Sequence, residues 1–243
     1  VSVTAAGATA IGQSADATSI NSLAVGKDAQ ATTSQGATAI GATASAQATN
    51  SPIAIGFGAF ANGSRTVSIG ASAGSSFNDT TSIGTAASAT GDNAIAIGRA
   101  STSGATSVAI GTQVSITGSS SVAIGDASSV TVSNGVAVGR MSSVLATGGT
   151  SLGTSALVGS GHTNGIAIGI NAATSGTGDG RWGALTSPVS FNIYSDVNLL
   201  TPGSCLQLFN TSTQTTNYEV GFVSWRATDF VIGTAAAGTG IAR

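Results

Sequence analysis

Branched apolar residues separated by single small ones recur along most of this chain. The unit is Ala-Ile-Gly with close variants, closed by Gly12, Gly26, Gly41, Gly56, Gly70, Gly84, Gly98, Gly111, Gly125, Gly139, Gly153 and Gly169. The intervals are 14, 15, 15, 14, 14, 14, 13, 14, 14, 14 and 16 residues. Twelve copies in phase constitute an internal repeat. The residue before each glycine is Ile, Val or Leu, as at Ile97, Ile110 and Val138. The residue two earlier is β-branched or Leu, as at Leu23, Thr81, Ile95 and Val108. Between them stands only Ala or Ser, as at Ser82, Ala96, Ala109, Ala123 and Ala137. This period of two predicts a short strand in every unit.

A second, fainter strand follows each glycine, at pairs such as Ala15 and Ala17, Ala29 and Ala31, Ala87 and Ala89, and Val114 and Ile116. Helix is the competing assignment, because Ala favours it. A glycine every fourteen residues among dense Ser, Thr, Val and Ile works against helix. The apolar spacing of two does the same. Fourteen residues suffice for two strands and two tight turns, one coil of a flattened solenoid. Twelve coils stacked at about 4.8 Å make a rod of about 50–55 Å. The closing glycine is expected to adopt a positive φ. The Ile/Val column is expected to fill the coil, and the Ala/Ser column to face outward. A long uncharged face of small residues is a packing surface. Ala96, Ala109, Ala123 and Ala137, with Phe60 as a wedge, are therefore the candidates for packing between chains of a closed symmetric oligomer.

Composition supports a thin, stacked core. Charged residues are 7% and aromatics 5% of 243 residues, with 35 glycines and 3 prolines. The net charge of −2 and seven scattered basic residues exclude a nucleic-acid footprint. No apolar run is long enough for a membrane helix. The N-terminus lacks a signal-peptide pattern and reads as the cut end of a longer polypeptide. The single cysteine, Cys205, excludes an intrachain disulfide framework. It reads as a buried small residue, the alternative being three copies meeting at an axis.

The Ser-Val-Ala-Ile-Gly units, Ser107–Gly111 and Ser121–Gly125, resemble the head repeats of YadA-like trimeric autotransporter adhesins. So does the Ala-x-Ala run after the glycines. The resemblance covers roughly residues 5–174. It implies an all-β, left-handed parallel β-roll, three chains around an axis, and an adhesive exterior. The number three comes from this resemblance, not from spacing. No heptad stalk or membrane-anchor segment is visible, and the pattern changes after residue 175.

The chain is thus read as a β-roll over 1–174, a linker over 175–183 containing Gly176-Thr177-Gly178-Asp179-Gly180, and a small C-terminal β domain over 184–243. Strands are expected near Val189–Tyr194, Cys205–Phe209, Val220–Trp225 and Phe230–Ile232, separated by turn chemistry such as Thr201-Pro202-Gly203. The C-terminal domain would close one end of the roll. Asn217–Trp225 and the Gly-rich end to Arg243 are similar to segments of tailed-phage fibre proteins. That similarity favours a virion tail fibre over a bacterial adhesin head. Expected partners are two further copies of the chain, a host cell-surface glycan or protein, and other virion components. The place would be the virion surface, or a cell surface. Multivalent binding is expected. Trp182, Tyr194, Tyr218 and Trp225 are the receptor-binding candidates.

No catalytic, cofactor or metal site emerges. His162 lacks clustered ligands and reads as a loop residue. Gly178-Asp179-Gly180 is a single copy of a calcium motif that works by repetition. Asp126 and Arg140 follow glycines of adjacent coils and are candidates for a structural ion pair. Phe57, Phe60 and Phe77 cluster on coils four and five, as a wedge or a receptor patch. Asp196, Glu219 and Asp229 are the acids near aromatics, and no spacing fixes two of them on one face for glycan cleavage. An ice-binding array would need regular outward threonines, which the pattern does not supply.

Overall fold

The computed structural model describes residues 1–33, 35–99 and 101–174 in full, and the backbone of strands at 180–182, 191–194, 205–209, 219–226 and 229–236. Within the first region each coil contributes a three-residue strand, such as Ile95–Ile97, and a two-residue strand, such as Thr102–Ser103. Twelve short strands form one parallel sheet and twelve long strands form a second. Pairing is in register from coil to coil: Ile95 with Val108, Ala96 with Ala109, Ile97 with Ile110. The parallel solenoid of about twelve coils is as expected, and the described residues contain no helix.

Both corners of the coil use the same turn. At the first, the residue three after the glycine donates back to it, as Ala15 N–H to the Gly12 carbonyl at 3.2 Å. The third residue of that turn has φ near +55°, as at Ser14, Thr43, Ala86, Ala127 and Met141. A positive φ there marks a type II turn. The second corner repeats the arrangement: Ser22 N–H donates to Ser19 O at 3.2 Å, and Asn21 between them has φ 56°.

The closing glycines have φ between 119° and 140°. They also stack on one another. A Cβ at any of the first eleven would stand 1.9–2.6 Å from the carbonyl oxygen of the next closing glycine. Two requirements therefore converge on glycine, the dihedral angle and the absence of space.

After the last coil, Gly180–Trp182, inside the stretch expected to be a linker, pairs in parallel with Ile166–Ile168. Antiparallel strands Phe191–Tyr194, Cys205–Phe209, Glu219–Arg226 and Asp229–Ala236 follow in order.

Candidate functional site

The two faces of the long-strand sheet are the reverse of the expectation. Ala96, Ala109, Ala123 and Ala137 are 0% exposed and lie inside the coil, so they cannot pack against a sister chain. The inward set is completed by the residue four before each glycine, such as Ala94 and Ser107, and by the second-strand pairs such as Ala87 and Ala89. Small residues on both sheets let the two layers approach closely, and this sets the thin coil. Where the second strand carries larger residues, the opposing position shrinks. Gly135 faces Val130 and Val144, and a Cβ there would lie 2.6 Å from Val130 Cγ1.

The branched columns consequently point out. None of the 24 residues one and three before the closing glycines is buried. Ile11 is 59% exposed. Twenty of the 24 are Ile, Val or Leu, the exceptions being Thr9, Thr38, Thr81 and Thr150. These four threonines also face outward, but Leu, Ile and Val interrupt them. Two neighbouring apolar columns over twelve rungs cover about 55 Å by 10 Å. That is at the upper end of the apolar patches that single chains expose.

The short-strand sheet presents a different surface. Its outward residues are mostly Ser, Thr, Gln and Asn, as at Ser45, Gln47, Asn62, Ser88 and Thr90. Phe60 stands among them, 37% exposed, on the opposite side of the coil from the Ile/Val columns. Its register partner on the next rung is Gly74. Phe57 and Phe77 are also exposed, at the two corners of coils four and five.

The other sequence candidates separate. Asp126 forms no ion pair with Arg140, whose guanidinium instead contacts Met141 Sδ at 3.3 Å. The well-formed pair among the described residues is Arg65–Asp79, bidentate at 2.5 and 2.6 Å across adjacent coils. Arg65 holds the Asp79 carboxyl below the usual carboxylate range, chiefly by this hydrogen bonding. His162 Nδ1 bonds Thr174 Oγ1 and closes the longest coil. Among the described residues no group of three His, Cys, Asp or Glu could hold a metal ion. Trp182, Tyr194 and Trp225 occupy strand positions, and Tyr218 lies outside the described residues, as does Asp196. Glu219 pairs with Ala236 and Asp229 with Arg226, at opposite ends of one hairpin. Seven positions along a strand separate them by about 24 Å, far beyond the reach of a glycosidase carboxylate pair.

Residues 4–32, 53–73, 78–101 and 117–140 match the YadA head domain repeat. The matched stretches together span less than half of the chain and fall within the twelve stacked coils. YadA head repeats are structural adhesin domains. No curated protein matches the chain.

Proposed function

We propose that this chain is a homotrimeric adhesive segment of a surface fibre. The observation that carries the reading is the largely Ile/Val/Leu face along a solenoid whose coils match YadA head repeats. An exposed apolar strip of this size and regularity marks an interaction surface. Three copies in cyclic symmetry cover one another's strips and leave the polar short-strand sheets outside. YadA-like adhesin heads are homotrimeric and bind host surfaces, which supports the same arrangement. The chemistry offered is multivalent attachment to a host glycan or protein, in which three weak sites act together.

The fibre is assigned to a virion tail, in contact with other virion components, on the similarity of Asn217–Trp225 to phage fibre segments. The head of a bacterial autotransporter adhesin is the second reading, and the YadA head repeats favour it. Purified protein should bind host cells, and the double variant Ile97→Asp/Ile110→Asp should lose both trimer mass and avid binding. Wild-type protein that fails to bind any host surface would refute the adhesive reading. Immunogold labelling then separates the contexts, since label on phage tails supports the first and label on the bacterial envelope supports the second.

A further inference from the structure

The geometry points to a sugar-stacking platform on the short-strand face, formed by Phe60 lying over Gly74. Three consecutive ring atoms, Cε1, Cδ1 and Cζ, lie 2.2, 2.3 and 2.4 Å from where a Gly74 Cβ would stand. An edge-on ring would bring at most two atoms that close. The ring therefore rests with one face on the glycine and turns the other to solvent. The rest of this column is built differently. Ser45, Ser88, Ser115, Ser129 and Ser143 hold the equivalent position on other coils. The glycine is what allows the ring to lie flat, so the pair forms one device across two rungs.

The surroundings select the ligand. Ser45, Gln47 and Asn62 stand outward on the same face within one rung of Phe60, Ser88 stands one rung beyond Gly74, and all are neutral. The Asn62 side chain is exposed two residues from the ring. An aromatic face carries partial negative charge and attracts polarised C–H groups. The C–H face of a pyranose fits that surface, while the flanking amides and hydroxyls can bond its hydroxyls. Charged sugars gain nothing from neighbours without charge. The class is thus a neutral hexopyranose at the end of, or within, a surface glycan.

This deepens the adhesive reading and rests on it. In the proposed trimer the Ile/Val faces are covered and the short-strand faces are not, so three platforms are exposed per fibre. It also gives Phe60 a role other than a wedge between chains. The structural signal that sequence reasoning missed is Gly74, one rung below the phenylalanine.

The test uses the full chain on immobilised neutral oligosaccharides of glucose, galactose, mannose and N-acetylglucosamine, beside whole host cells. Phe60→Ser introduces the residue most common at this position, so mass and circular dichroism should be unchanged. Binding to the best oligosaccharide should fall at least tenfold. Gly74→Ser, which lifts the ring while keeping it, should weaken binding too, and Phe60→Trp should retain it. Equal binding by Phe60→Ser and wild type overturns the platform while leaving adhesion intact. Cell binding without binding to any neutral oligosaccharide overturns the ligand class, again with adhesion intact. Binding to neither surface removes the adhesive reading and the platform with it.

Discussion

Gly98→Ala probes the stacked glycine column directly. Gly98 has φ 125°, where an L-residue pays about 1–3 kcal/mol. The new Cβ would stand 1.9 Å from the Gly111 carbonyl oxygen and 2.7 Å from its carbon. Relief requires the two rungs to separate. That stretches the 2.8 Å bond from Gly111 N–H to the Ile97 carbonyl, whose loss adds about 1 kcal/mol. The expected total is about 2–4 kcal/mol, or a fall in Tm of about 4–16 °C for a chain of this size. Gly58→Ala is the matched control. Gly58 also has positive φ, 62°, but the nearest atoms to its Cβ position are 3.8 Å away. It should cost only about 1 kcal/mol, because the dihedral angle alone is penalised. Urea and thermal unfolding of both variants decide the matter. If Gly98→Ala is no worse than Gly58→Ala, close approach of the rungs is not why glycine stands there.

Other consequences are accessible to the same assays. Ser68 Oγ is buried without a hydrogen-bond partner at a position where most coils carry Ala, so Ser68→Ala should stabilise by about 1 kcal/mol. Ser82 at the equivalent position donates to Gly74 O and accepts from Ala89 N–H at 3.0 Å, so Ser82→Ala should destabilise by about 1–3 kcal/mol. Ala127 has φ 54° at a corner, and Ala127→Asn should raise the urea midpoint, since Asn tolerates this conformation better. The Asp79 carboxyl is depressed by Arg65. Its contribution is therefore present above the usual carboxylate range and is lost as pH falls through the lowered value. The small Tm gap between wild type and Asp79→Asn at neutral pH should shrink as pH is lowered through and below the usual carboxylate range, and a gap that does not shrink refutes the assignment.

The period, the coil length and the role of glycine were legible because each is written in spacing. Gly12 to Gly169 recur in phase, and nothing but stacking uses them that way. The direction of the strand faces was not legible by the rule applied. Alternation at Ile95-Ala96-Ile97 says that two faces differ, but not which one is enclosed. The rule that large apolar residues go inside presumes that one chain completes its own core. Here the coil encloses alanine, and the isoleucines are left for another surface. A subtler signal was present. Glycine appears at 135, 149 and 165 once valine and isoleucine enter the second strand at 116, 130, 144 and 158. Such compensation joins positions that share a core. The Phe60–Gly74 pair could have been found by aligning coils four and five on their closing glycines.

The proposed trimer requires sister chains to cover the Ile/Val columns. Sedimentation equilibrium of the purified chain measures this most directly. Three chains of 23.1 kDa predict a particle of about 69 kDa that dissociates when Ile97 and Ile110 become aspartate. A stable 23.1 kDa particle with its apolar face open to water would contradict it.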